Sequence, residues 1–192
     1  MASLVDRYLL FRIRKHQDPQ AFARLYDRYV NAIYRFVLLK VPSKEDAEDI
    51  SSEVFLKCWN YLQEHHDVGQ IRALLYTIAR NAIADWYRSK SLTPSRSLVV
   101  TFQVDGTSTD SEADVSDAGG GRNLIEARAE LSVVMGALER LKDDYRDVLT
   151  LRLIDGLPFG VIARIMGKTP GHVRVLYHRA KKALDAMSET DA

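Results

Sequence analysis

Cysteine is nearly absent: Cys58 is the only one in 192 residues. A single thiol excludes an internal disulfide and any cysteine-rich zinc site. Long apolar runs are absent as well. No stretch approaches the roughly 20 apolar residues that a membrane-spanning helix needs. Met1–Arg14 mixes charged side chains with short apolar pairs and lacks the apolar core of a secretion signal. The expectation is a soluble, cytoplasmic chain with no membrane insertion. A glycine-rich phosphate loop and a nucleophile motif are also missing. His65-His66-Asp67 has no second cluster at metal-ligand spacing, and His16, His172 and His178 are scattered. No catalytic residue, metal or cofactor is expected, and Cys58 reads as a core residue on an amphipathic helix. The formal net charge is +1, so charge is informative only segment by segment.

What is present is helical periodicity. Asp18-Pro19 reads as a helix start, with aspartate capping and proline in the first turn. Phe22, Leu25, Tyr26, Tyr29, Ile33, Phe36 and Val37 then repeat at helical spacing. Pro42-Ser43 interrupts the chain, and Ser43 with Asp46 resembles a capping box. The next helix carries Ala47, Ile50, Val54, Cys58 and Leu62 on one face. Its first turns are acidic: Glu45, Asp46, Glu48, Asp49 and Glu53. After a polar loop, Gln63–Gln70, a further helix carries Ile71, Leu74, Leu75, Ile78, Ala82, Ile83 and Trp86.

Residues 91–123 change character. Serine, threonine, aspartate and glycine dominate, and no basic residue stands between Arg96 and Arg122. Such a segment buries too little apolar surface to offset its ordering entropy. Periodicity returns from Leu124. One helix carries Leu124 to Leu141, and another carries Val148, Leu149, Leu151, Leu153 and Ile154 before Gly156. The fold class expected is all-α: two small helical domains, 1–90 and 124–192, joined by a flexible acidic linker, 91–123.

The most informative pattern runs from Phe159 to Arg179. Two helices that cross steeply need a small residue at their approach, and Ala163 fills that place. Gly167, four residues on, suits a left-handed helix end. Thr169 then caps a second helix with Pro170 in its first turn. Ile162, Met166, Val173 and Leu176 supply the shared core. Arg174, His178 and Lys181 fall together on another face. From Arg164 to Lys182 six residues are basic and none is acidic. A basic, exposed second helix is what major-groove docking requires. Lys168 is a departure, because such turns usually bury an aliphatic side chain there.

Together these segments resemble bacterial sigma factors of the extracytoplasmic-function type. Glu45–Ile50 with Glu53–Trp59 resembles that family's polymerase-docking helix. Leu74–Arg88 resembles the helix that follows it, and Gly156–Leu184 the promoter-binding unit. The resemblance implies initiation of promoter-specific transcription with core RNA polymerase as partner, through its β′ clamp helices and β flap. It implies Asp46, Glu48, Asp49 and Glu53 as polymerase contacts. It implies capture of a flipped minus-10 base by the Gln63–Gln70 loop and the next helix, with His65, His66, Asp67, Arg80, Asn81 and Arg88 as candidates. Reading of the minus-35 element would fall to Thr169, His172, Arg174, Val175 and His178, with Arg179, Lys181 and Lys182 on phosphates. An anti-sigma partner is also implied. The rival reading is a helix-turn-helix regulator that is not a polymerase subunit. A response regulator would need an α/β receiver, and the N-terminal half shows no strand alternation.

Overall fold

The computed structural model describes residues 4–64, 68–91, 136, 138 and 140–190. The linker expected at 91–123 lies outside the described residues from residue 92 on, while Ser91 ends a helix; most of the helix expected from Leu124, and His65, His66 and Asp67, also lie outside the described residues. Seven α-helices and one π-helical turn are seen among them, and no strand. The N-terminal half holds α1 (Leu4–His16), α2 (Pro19–Leu38), α3 (Lys44–Glu64) and α4 (Ile71–Ser91). The C-terminal half holds α5 (Asp143–Leu149), a π-helical turn (Thr150–Ile154), α6 (Phe159–Met166) and α7 (Pro170–Thr190).

The first half is a four-helix unit built on the predicted stripes. Asp18 caps α2, accepting from the amides of Gln20 and Ala21 at 2.9 and 3.3 Å. Leu25, Ile33, Phe36 and Val37 from α2 meet Ile50, Val54, Cys58 and Leu62 from α3 and Leu75 and Tyr76 from α4, all buried. A buried polar link ties α1 to α2. The Tyr29 hydroxyl donates to the Asp6 carboxylate at 2.8 Å, and Arg28 lies 3.1 Å from the other oxygen. Burial, reinforced by the Asp6 carboxylate, pushes the Tyr29 phenol up to about 12.

The start of α3 refines the expected capping box. The Asp46 amide donates to the Ser43 hydroxyl oxygen at 3.0 Å, as a cap requires. The Asp46 carboxylate instead accepts from the Ser43 hydroxyl at 2.7 Å, the Trp86 indole N–H at 3.2 Å and Lys90 at 3.1 Å. That set fastens the start of α3 to the end of α4.

In the second half, the expected core helix changes pitch. The π-helical turn at Thr150–Ile154 shifts the phase of the side chains. Leu151 is buried, but Leu153 and Ile154, expected in the core, are 56% and 41% exposed. Gly156 ends the turn at φ +63.

The two halves pack on one another through α4 and α6. One continuous apolar cluster runs from Leu9 through Tyr76 to Ala180.

Candidate nucleic-acid interface

Helices α6 and α7 form the turn that the sequence pattern describes. Ala163 is buried where the helices approach, with Ile162, Met166, Val173 and Leu176 around it. Gly167 adopts φ +62. The Lys168 amide donates back to the Ala163 carbonyl at 2.9 Å, closing the helix end. Thr169 caps α7, accepting from the His172 amide at 3.3 Å. The cap sets the start of α7, and the start sets which side chains face outward. His172, Arg174, Val175, His178, Arg179, Lys181 and Lys182 are all exposed. Arg174 lies 5.9 Å from the centroid of the Phe159 ring, which is itself set edge-on to Tyr177. The result is one polar, cationic strip on α7 with an exposed valine in it, over a core that fixes its direction.

Lys168 does not face this strip. It pairs with Asp144 of α5 at 3.1 Å and is largely covered. The turn therefore replaces an aliphatic anchor with an ion pair.

The N-terminal candidates divide. Glu48, Asp49 and Glu53 are exposed on α3, and Glu53 pairs with Lys57 at 2.7 Å. Asp46 is mostly covered and serves the α3–α4 junction. On α4, Asn81 and Arg88 are exposed, and Arg88 pairs with Asp85. Arg80 is occupied: its Nε donates to Asp147 at 2.5 Å, and Asp144 lies 3.5 Å away. Tyr76, Trp86 and Tyr87 take packing or hydrogen-bonding roles. Tyr76 is fully buried, Trp86 reaches Asp46, and the Tyr87 hydroxyl donates to the Lys40 carbonyl at 2.5 Å.

Sequence reasoning missed the contact between the halves. Asp147, 2% exposed at its side chain, pairs with both Arg80 and Lys40. The Lys40 ammonium lies 4.4 Å from the centroid of the Phe36 ring. Burial, with Arg80 and Arg146 nearby, pulls Lys40 down to about 7. A cavity of about 270 Å3 adjoins these groups, lined by Tyr87, Arg146 and Asp143 among others. A second set surrounds Asp155. Arg35 reaches its carboxylate at 2.7 Å, and Arg72 donates to its carbonyl at 2.8 Å. Burial and the Asp155 carboxylate push the Tyr76 phenol up. The available signal was faint: Asp144, Asp147 and Asp155 stand among the apolar residues Val148, Leu149, Leu151, Leu153 and Ile154 together with Arg146, Thr150 and Arg152.

Comparison with known proteins places this geometry. Residues 25–93 match the Sigma-70 region 2 family and residues 131–184 match Sigma-70, region 4. The chain is 30% identical over 182 residues to the ECF RNA polymerase sigma-E factor of Escherichia coli, covering 95% of this chain and 93% of that one. The chain belongs to the ECF RNA polymerase sigma factors. The ECF sigma factor BldN of Streptomyces coelicolor is 32% identical over 187 residues; the match covers 91% of this chain and 63% of BldN. The fold also matches solved structures. CnrH, solved in complex with the cytosolic domain of CnrY, superposes with a TM-score of 0.72 at 22% identity, covering 98% of this chain and 99% of that chain. The sigma factor RpoE of Bartonella quintana, solved with the anti-sigma factor NepR, gives 0.64 at 21% identity, covering 89% and 98%. No described helix is long and apolar enough to cross a membrane.

Proposed function

We propose that the two halves of this sigma factor divide promoter reading and polymerase binding as follows. Residues 124–192 read the minus-35 element through α7. Residues 1–90 bind core RNA polymerase and the minus-10 element, and residues 91–123 connect them. The exposed strip on α7 carries this reading. His172, Arg174, Val175 and His178 are assigned to base edges, and Arg179, Lys181 and Lys182 to phosphates; what supports this is their exposure on α7.

Polymerase docking falls to Glu48, Asp49 and Glu53, all exposed on α3, with Glu53 held in a surface pair with Lys57 that a basic partner would displace. Asp46 supports them by holding the start of α3. For the minus-10 element, Asn81 and Arg88 are exposed, Arg88 in a surface pair with Asp85, and His65, His66 and Asp67 precede them in the chain. Arg80 reaches DNA only after the halves separate, because Asp147 and Asp144 occupy it. The protein acts in the cytoplasm with the polymerase, without catalysis of its own. An anti-sigma partner fits the same reading, since CnrH and RpoE are each solved with a protein partner.

Substitution separates these roles. Arg174→Ala is expected to weaken minus-35 recognition by about 1–3 kcal/mol, or roughly 5- to 150-fold, with core polymerase binding unchanged. Asp49→Lys with Glu53→Lys is expected to lose polymerase binding while isolated DNA binding survives. Loss of polymerase binding in Arg174→Ala would contradict the division.

A further inference from the structure

The cavity of about 270 Å3 at the junction is built by both halves, and its charge is unbalanced. Lys40 and Arg80 bring positive charge from the first half, and Arg146 of α5 brings it from the second. The Arg146 Nε donates to the Leu138 carbonyl at 3.0 Å, which anchors the guanidinium at the wall. Asp147, the buried carboxylate of the lining, already pairs with both Lys40 and Arg80. Asp143 also lines the cavity but is exposed to water and salt, which screen its charge. Asp144 is shared between Lys168 and Arg80. Lys40 registers the excess: after burial, the neighbours that act on it most are Arg80 and Arg146, and both make protonation harder. The rest of the wall is apolar, formed by Ile83, Ala84 and the Tyr87 ring. That ring is fixed edge-on to Trp86 and tied by its hydroxyl to the Lys40 carbonyl.

We propose that this cavity binds a small organic anion, one carboxylate or phosphate group on an aliphatic or aromatic body, and that the bound anion holds the two halves together. The anionic group meets Lys40, Arg80 and Arg146. Guanidinium groups match the oxygens of both carboxylate and phosphate, and a cleft lined by one sign of charge concentrates ions of the other. The body lies on Ile83, Ala84 and Tyr87, the mix of apolar wall and few polar groups that small-molecule sites use. The volume sits just below the usual range of about 300–1,000 Å3 for such sites, which points to a small ligand. A cationic ligand would add to the excess charge, and a neutral one would leave it unanswered. Arg146 stands on the opposite half from Lys40 and Arg80, so only the packed arrangement offers the whole site. A ligand that binds one arrangement alone shifts the population toward it. That consequence rests on the reading above in which Arg80 reaches DNA only after the halves separate.

The test uses the full chain with benzoate and phenyl phosphate as probes and benzyl alcohol as the uncharged control. At about ten times its Kd, an anion that fits is expected to raise the thermal midpoint saturably by about 2–5 °C. Benzyl alcohol is expected to leave it unchanged, and the larger of the two anion shifts assigns carboxylate or phosphate. In calorimetric titration, Lys40→Met should weaken binding roughly 10- to 150-fold, the loss of one charged hydrogen-bond partner. Ala84→Trp, at an exposed position that lines the cavity, fills the apolar wall and should abolish binding with every charge in place. No saturable shift with either anion, an equal shift with benzyl alcohol, or unchanged affinity in both variants overturns the proposal. Assembly with core RNA polymerase reads the second part. The same anion concentration should weaken it by up to about 10-fold for the unaltered chain and not at all for Ala84→Trp. An unchanged affinity for core polymerase overturns the holding role. If Arg80→Ala keeps full minus-10 recognition with no anion present, the Arg80 reading fails while the binding result stands.

Discussion

Replacing Lys40 with methionine is expected to stabilise the chain, although Lys40 sits in an ion pair between its two halves. The Lys40 side chain is 8% exposed, and its value falls from 10.5 to about 7. At about 1.4 kcal/mol per pH unit, that depression is a penalty of about 5 kcal/mol on the charged form at neutral pH. Methionine removes the penalty, keeps the stem packed against Phe36, and leaves Asp147 its partner Arg80 at 2.5 Å. Exchanging a whole buried ion pair or triad for apolar groups of similar volume is neutral or stabilising by about 1–4 kcal/mol; here only one partner is exchanged, and because Arg80 keeps Asp147 paired the gain is expected near the low end of that range. Asp147→Asn should do the reverse. It leaves the buried Lys40 without its carboxylate and Arg80 with only Asp144, at a cost of about 3–5 kcal/mol.

A pH dependence accompanies the sign. Between about 7 and 10.5 the opened or unfolded chain holds a proton on Lys40 that the folded chain has released. Stability therefore rises with pH across that window, by about 1.4 kcal/mol per unit. Urea unfolding from pH 7 to 9 reads this directly, with Lys40→Met as the baseline that cancels other titrating groups. The unaltered chain should gain about 2–3 kcal/mol over that baseline across the range. If Lys40→Met destabilises by more than about 1 kcal/mol, or if both chains share one pH profile, the desolvation argument is wrong and the pair simply holds the halves together.

Gly167→Ala should cost about 1–2 kcal/mol in thermal unfolding. An added Cβ meets nothing within 4 Å, so the whole cost is the left-handed backbone at φ +62; a neutral result would mean that the turn relaxes freely. Cys58 is fully buried, and burial pushes its thiol up to about 12. It should resist maleimide at pH 8 in the folded chain and react readily in urea, and rapid native labelling would contradict its core placement. Changing Arg179, Lys181 and Lys182 to glutamine one at a time should each lower the salt slope of minus-35 binding by roughly 0.9, as measured by fluorescence anisotropy across salt concentrations. An unchanged slope would remove that residue from the phosphate contacts.

Much of the fold was legible because local rules and tertiary packing agree here. The Asp18 and Thr169 caps, the left-handed Gly167 and the buried Ala163 each follow from a requirement of a few neighbouring residues. Leu153 and Ile154 were misplaced because a regular helical period was assumed. The π-helical turn inserts a phase change that no propensity announces. Asp46 was grouped with the exposed acids because spacing alone cannot show that Trp86 and Lys90, some forty residues on, converge on its carboxylate. The contact between the halves was the least legible part. Lys40, Arg80 and Asp147 have meaning only as a set, and 67 residues separate Arg80 from Asp147.

The central claim is that this chain confers promoter recognition on RNA polymerase through two separate surfaces. The most direct measurement is run-off transcription with purified core polymerase on templates carrying matched, minus-10-altered or minus-35-altered promoters. Core polymerase alone is expected to give no specific transcript. The added chain should give a discrete start site, and altering either element should reduce it. Arg174→Ala should respond weakly to changes in the minus-35 element only. Specific transcription without the added chain, or a chain that binds the promoter yet never associates with core polymerase, would contradict it.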